Sequence, residues 1–372
     1  MRKLMKIAAS AAVLASAVTL IAGPALADPV NGSGSPVTPK ETDVVSVGSD
    51  TSEYLVDQLA FDYNKSHSTG PRLYSWDAVN PVTGLTDNIK TKFGCTAIVR
   101  PNGATAGLTA FYANAKTSDG KHYCIDYVRS ARGRSSTDPA KGPGGVTFVA
   151  LAKDAISYAA NATTNAPHNL TTAQLNAIYT CTATAWNQVG GTSTDTIQAF
   201  LPQTGSGLRT SFLKAIGVAT PGSCVNSSVQ QNEGTDPQFK GNADALVPYS
   251  VAKYISQRYH SAKCGVKPTA TQNRFGCDEH GAFILNSVNG TKPTTGTGTG
   301  TTINPLFSAK FINAIYDVVR WAQTRDNIPA YLEPFFASAF ATTRGWICSN
   351  TTARQDLINY GFLPTPFCGT GS

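Results

Sequence analysis

"TIQAFLPQTGSGLRTSFLKAIG", residues 196–217, holds the end of a strand, a turn and a helix in one short run. The apolar residues through Leu201 read as the strand end, while Phe212 and Ile216, four apart on one face, read as a helix that stops at Gly217. Between them stand Thr204, Gly205, Ser206 and Gly207. A turn of this composition before a helix presents free backbone N–H groups, short hydroxyl donors and the positive end of the helix dipole, which together favour an anion. Gly205 and Gly207 let the backbone approach closely, and Arg209 adds a forked guanidinium donor. The same pieces also make an ordinary capping turn with a surface arginine, so the loop needs its context.

The order strand, polar turn, helix recurs along the chain. In "DVVSVGSD" (43–50), Val44, Val45 and Val47 form a β-branched strand ending at Gly48. The next residues place Leu55, Leu59 and Tyr63 four apart with Val56 and Ala60 beside them, behind Asp50 as N-cap and Glu53 as the capping-box partner. "TAIVRPNGATAGLTAFYANA" (96–115) gives a strand to about Val99, a turn through Asn102 and Gly103, and a helix from about Thr105. "YCIDYVRSARG" (123–133) gives another strand and polar turn. Strands alternating with helices predict an α/β fold with a mostly parallel sheet covered on both faces. In such a sheet the loops after the strands converge on one crevice. Asp50, Thr51 and Ser52, then Gly103, Ala104 and Thr105, then Arg129, Ser130 and Arg132 thereby join the 204–209 loop as candidate ligand-binding residues. Taken singly, each of these turns has a plainer reading as a helix cap, a tight turn or a solvated basic loop.

Two apolar stretches, "GVTFVALAKDAISYAA" (145–160) and "ADALVPYSVAKYI" (243–255), bracket a span the size of a small domain. They predict two lobes joined by two chain crossings: lobe 1 from 43–150 and 246–372, lobe 2 from 151–245. Near the end, "NPLFSAKFINAIYDVVRWAQTR" (304–325) predicts a helix capped by Asn304, with Phe307, Phe311, Ile315 and Val318 as its apolar face. The preceding "NGTKPTTGTGTGTT" (289–302) predicts a mobile surface loop.

The first residues set the compartment. Arg2, Lys3 and Lys6, an apolar run from Ile7 to Ala22, and Ala25-Leu26-Ala27 have the three parts of a secretory signal cleaved after Ala27. Residues 28–42, rich in Pro, Gly and Ser, read as a disordered leader. No cysteine stands at the cleavage point to take a lipid, so a soluble, monomeric, secreted or periplasmic protein is expected. Losing the signal's three basic residues lowers the formal charge from +7 to +4, too little for bulk nucleic-acid binding.

All eight cysteines (95, 124, 181, 224, 264, 277, 348 and 368) lie beyond the signal, and an even number in an oxidising compartment favours disulfides. Nearest-neighbour pairing is the simplest of about 105 connectivities. No pair has CxxC spacing, and the five histidines show no metal pattern. No GxSxG or HExxH motif is present, and the Asp278-Glu279-His280 cluster abuts Cys277 in what reads as a surface turn. No enzyme, metal or cofactor is expected.

Several of these segments together carry a family resemblance: "VGSDTSEYLVDQLA", "RPNGATAG", "IDYVRSAR", "LTTAQLNAIYT" with "WNQVGG", "LPQTGSGLRTSFLKAIG" and "ALVPYSVAKYI", spread over about 43–254. The chain resembles the phosphate-binding proteins of bacterial high-affinity phosphate import, in an actinobacterial form. The resemblance implies a two-lobed type II solute-binding fold that closes over inorganic phosphate and delivers it to an ABC transporter permease. By position Thr51 matches the family's first-loop threonine, Ser206 and Gly207 match the small residues of the last loop, and Arg209 matches an arginine found after that loop in some members. Thr51, Ser52, Thr105, Ser130, Ser206 and Gly207 are then the expected donors, with Arg209 and one of Arg129 or Arg132 supplying charge. Three positions depart from the pattern. Leu208 replaces a threonine, Ala104 replaces a serine with Thr105 beside it, and the turn 129–132 lacks the carboxylate that accepts the phosphate proton. Asp50 and Asp126 are the candidates for that role. Another anion, such as sulfate or a sugar acid, is the alternative ligand, and a secreted hydrolase the alternative class.

Overall fold

The computed structural model describes residues 28–324, 327–336 and 345–372. The proposed signal segment lies outside the described residues. A ten-stranded sheet runs through the molecule, and eight of its strands form one path. We number these β1 (Val44–Gly48), β2 (Leu73–Ser75), β3 (Tyr127–Ser130), β4 (Val146–Asn161), β5 (Gln198–Pro202), β6 (Asn226–Val229), β7 (Ala245–Ser250) and β8 (Ile312–Arg320). The spatial order is β2-β1-β3-β8-β4-β7-β5-β6.

The long strand β4 joins the two lobes. At about 3.3 Å per residue its 16 residues reach roughly 50 Å, enough to serve both. From Val146 to Ala155 it pairs with β8, and from Ile156 to Ala159 with β7. It is rich in Ala and β-branched residues and nearly all of it is buried, as a strand covered on both faces requires. A second crossing runs from β7 into the short helix Val251–Ile255. The crossings are bonded to each other: Asp154 of β4 accepts from the Ser250 hydroxyl at 2.6 Å and from the Ala252 amide at 2.9 Å.

Three helices start at the ends of strands or turns that face the gap between the lobes: α1 (Glu53–Ser66), α2 (Ala104–Tyr112) and α4 (Gly207–Ile216), with α3 (Thr172–Tyr179) covering the second lobe. The apolar stripe read in the sequence of α1 is the buried one, with Leu55, Val56 and Leu59 in the main core. In α4, Phe212 and Ile216 are buried and the helix ends at Gly217, whose φ of +70° is the left-handed conformation that glycine takes without strain. All four nearest-neighbour disulfides form: Cys95–Cys124, Cys181–Cys224, Cys264–Cys277 and Cys348–Cys368.

Five expectations change. Asp50 does not cap α1: it opens a 3-10 turn, Asp50–Ser52, ahead of the helix, and the Glu53 carboxylate accepts from the Ala78 amide and Lys253 instead of closing a capping box. The helix predicted over 304–325 is instead the strand β8, preceded by one 3-10 turn at Ala309–Phe311. Both faces of β8 are covered, so Ile315 packs into the main core and Val318 into a second cluster, and with both buried the spacing imitates a helical stripe. The sheet is consequently mixed rather than mostly parallel. Each lobe keeps parallel pairs (β1 with β2 and β3; β5 with β6 and β7), but the β3–β8, β8–β4 and β4–β7 junctions are antiparallel. The low-complexity stretch 289–302 closes a small hairpin, in which Thr294–Thr295 pairs with Thr302–Ile303. The expected leader 28–42 lies against the body: Asp28 forms a two-pronged ion pair with Arg100 at 2.5 and 2.7 Å, and the Phe93 amide donates to the Pro39 carbonyl.

Candidate functional site: an interlobe cleft of helix starts

The loops of the first lobe are stitched together by their backbones. The Ser49 amide donates to the Arg129 carbonyl at 3.0 Å, and the Gly103 amide to the Gly48 carbonyl at 3.3 Å. The second lobe then meets them directly. The Thr105 amide donates to the Gly205 carbonyl at 3.0 Å, and the Ser211 hydroxyl to the Ala131 carbonyl at 3.1 Å. Glycine is required at this meeting: a Cβ on Gly205 would stand 2.6 Å from the Asn102 carbonyl oxygen, and one on Gly207 2.9 Å from the Ala104 Cβ. The four predicted loops therefore share one place, and the starts of α1, α2 and α4 face each other across it.

Within that place the predicted residues separate into groups. Asp50, Thr51, Ser52 and Ser206 are buried at the junction. Ser206 is the N-cap of α4, its hydroxyl oxygen accepting from the Arg209 amide at 3.0 Å. The Ser52 hydroxyl is buried and has no hydrogen-bond partner among the described residues. Gly103, Ala104, Thr105, Gly205 and Gly207 line the contact between lobes. Thr204 is exposed, and Ser130 turns its hydroxyl onto the Arg132 carbonyl at 2.8 Å.

Arg129 and Arg132 are engaged by neighbouring groups of the first lobe, while Arg209 is held by one backbone carbonyl. Arg129 is fully buried beneath the first turn, donating to the Ser49 carbonyl at 3.1 Å, the Trp76 carbonyl at 2.8 Å and the Ser75 hydroxyl. Arg132 is held by Asp138 through two bonds of 2.7 and 2.9 Å, with its Nε 3.3 Å from the Thr105 hydroxyl. Burial alone would raise the Asp138 carboxyl, but the Arg132 guanidinium and the Ser135 amide outweigh it and hold the group well below the usual range. Arg209 donates to the Pro202 carbonyl at 2.8 Å.

The residues that sequence reasoning missed are amides. Gln230, Gln231 and Asn232 follow β6, and all three aim their carboxamides at Asp50 of the other lobe. Asn232 donates to Asp50 Oδ1 at 2.8 Å, Gln231 to the same oxygen at 3.2 Å, and Gln230 to Oδ2 at 3.4 Å. Gln231 also donates to the Thr51 hydroxyl at 2.8 Å and accepts from the Ser206 hydroxyl. Gln230 in turn accepts from Asn102 at 2.8 Å. The available signal is positional: "VQQNEGTD" (229–236) is a polar turn after an apolar residue, like the turns at 50–52, 103–105 and 129–132.

Carboxyl groups surround the junction. Lys253 donates to Glu53 at 2.9 Å and to the Asp50 carbonyl at 3.1 Å, and lies 3.9 Å above the Tyr54 ring. Burial raises the Asp50 carboxyl to about 6, against the opposing pull of Lys253. Burial likewise raises Glu279 to about 7 and Glu233 to about 8. Asp126, the other candidate proton acceptor, sits within the first lobe, bonded to Lys92 at 2.6 Å and to the Val45 amide at 2.7 Å.

Comparisons with known proteins agree with this architecture. The chain superposes on a protein from Clostridium perfringens described as a phosphate ABC transporter substrate-binding protein, solved with bound phosphate: TM-score 0.55, 13% identity, 87% of this chain and 99% of that one. It also superposes on an ABC-type phosphate transport receptor from Vibrio cholerae: TM-score 0.51, 16% identity, 86% of this chain and 99% of that one. At these identities the likeness is one of fold. No curated protein matches the sequence. Among the described residues no helix is long and apolar enough to cross a membrane. The model of the PBP (periplasmic binding protein) superfamily domain matches residues 38–299, most of the chain, and with the two-lobed sheet and converging helix starts this establishes that the chain belongs to the PBP superfamily.

Proposed function

We propose that this chain is a non-catalytic, extracytoplasmic, monomeric solute-binding protein that captures inorganic phosphate between its lobes and passes it to an ABC-type importer. The observation that carries the reading is the meeting of three helix starts from both lobes around the buried hydroxyls of Thr51 and Ser206. Helix starts offer unpaired amide hydrogens and the positive end of a dipole. Exclusion of water strengthens each such interaction by lowering the local dielectric. The buried and unpartnered Ser52 hydroxyl is a further donor beside them. The basic, apolar and small-residue pattern of 1–27 supports export, and the phosphate named for the two structural relatives supports the ligand.

Asp50 takes the role of proton acceptor in this reading. Its carboxyl faces the Thr51–Ser206 junction and already gathers donors from the second lobe, whereas Asp126 is committed to Lys92. An acceptor set against a fully ionised sulfate is left unpaired and repulsive, so the site favours an oxyanion that keeps a proton. Calorimetry on residues 28–372 with phosphate, arsenate and sulfate tests this: phosphate and arsenate bind, sulfate does not. Absence of any phosphate heat would overturn the reading.

A further inference from the structure

The Gln231 side chain is fully buried, and every hydrogen-bonding atom of its carboxamide is used. Its Oε1 accepts from the Ser206 hydroxyl, and its Nε2 donates to Thr51 Oγ1 at 2.8 Å and to Asp50 Oδ1 at 3.2 Å. These are the three side chains that the proposed phosphate site needs most. A hydroxyl carries a single hydrogen. The Ser206 hydrogen is spent on Gln231, so Ser206 cannot donate to an anion until Gln231 leaves. We propose that Gln231 is an internal surrogate ligand, which holds the closed cleft together through its own carboxamide and which the incoming oxyanion must displace.

The chemistry of the surrogate matches that of the ligand proposed above, and the inference rests on that reading. A carboxamide presents an acceptor oxygen and a donor nitrogen side by side. A protonated oxyanion presents an acceptor oxygen and a donor hydroxyl at similar separation. Exchange then keeps two of the three bonds in type, an oxyanion oxygen replacing Oε1 at Ser206 and its hydroxyl replacing Nε2 at Asp50, while the Thr51 hydroxyl, an acceptor from Nε2, becomes a donor to the anion. A fully ionised anion can replace the first bond but not the second. Gln231 also arrives on a tether. It follows β6 and is flanked by Gln230 and Asn232, which hold Asp50 through separate bonds, so it competes as an intramolecular group at high effective concentration. Its loss from the seat leaves the neighbouring amide bonds to keep the lobes aligned.

The consequence is opposite to that of an ordinary ligand contact. Removing a residue that touches phosphate weakens binding, whereas removing a residue that competes with phosphate tightens it. The test is calorimetry with inorganic phosphate on the full mature chain and on Gln231→Ala and Gln231→Asn. The asparagine side chain is one methylene shorter, keeping a polar side chain in place while drawing it back from Ser206. Releasing two or three net hydrogen bonds should tighten phosphate binding about tenfold in both variants. The melting temperature without phosphate should fall, because the clasp is gone, while the shift on adding phosphate grows. If the parent binds phosphate and both variants bind it equally or more weakly, Gln231 is a direct ligand or a bystander, and the surrogate is overturned while the phosphate site stands. If neither parent nor variants bind phosphate, the phosphate reading fails and this inference fails with it.

Discussion

The backbone amide of Thr105 donates to the carbonyl of Gly205, joining the start of a helix in one lobe to the turn before a helix in the other across 3.0 Å. So close an approach depends on Gly103, whose φ of +105° is outside the range of L side chains and whose absent Cβ would collide with the Gly205 carbonyl. Gly103→Ala forces either backbone strain, costing about 1–3 kcal/mol, or separation of the lobes. Phosphate affinity measured by calorimetry should fall at least tenfold, and small-angle scattering should show a larger radius of gyration. Unchanged affinity would mean that the lobes need not meet here.

Arg129 was expected as a candidate source of charge for the ligand, yet its guanidinium braces the underside of the first turn and compensates buried carboxyls. The Asp317 carboxyl stands opposite it on β8, and Asp57 and Asp77 lie close enough for the arginine to oppose the rise that burial imposes on them. Arg129→Met leaves these groups without their cation and frees two carbonyls, so global stability should drop by about 3–5 kcal/mol in urea unfolding. A variant of unchanged midpoint that binds phosphate weakly would instead return Arg129 to the ligand.

What the sequence made legible was local. Period-four apolar spacing identified α1 and α4, and the glycine, serine and threonine turns gave the loops that meet. Side-chain direction was less accessible. Arg129 and Ser130 are adjacent in β3 and so face opposite sides of the sheet, and which side is core depends on neighbours distant in sequence. The strand β8, buried on both faces, copied a helical stripe and concealed the antiparallel centre of the sheet. Gln230, Gln231 and Asn232 follow a strand whose sequence, "NSSV", has little strand character, because its pairing with β5 comes from tertiary context.

Stability should rise on acidification from pH 8 to pH 5. Asp317 is raised by burial to about 7, Glu279 to about 7 and Asp356 to about 7. For each, the folded state holds its proton more tightly than the unfolded chain. The stabilising contribution is complete below the ordinary carboxylate range and is lost as pH climbs towards 7. Melting temperatures across this window should fall with increasing pH, and Asp317→Asn, which cannot ionise, should flatten the profile. A profile that rises with pH would show that these carboxyls are ionised at little cost in the fold.

Asp50 provides the sharpest test of selectivity, because its charge is needed for ligand binding and opposed by burial. Buried beside Lys253 and the three amides, its carboxyl titrates at about 6. To accept a proton-bearing oxygen it must be ionised, so phosphate affinity should weaken as pH falls from 7.5 to 5. Its amide counterpart has no such titration and can donate as well as accept. Asp50→Asn should therefore lose the pH dependence, bind phosphate more weakly at pH 7.5, and gain measurable affinity for sulfate, since the repulsive acceptor is gone. Competition calorimetry with both anions at the two pH values separates this from simple damage to the clasp, which would weaken both anions together. If the variant still rejects sulfate, another group carries the discrimination, and Glu53, bonded to Lys253 at the start of α1, is the next to substitute.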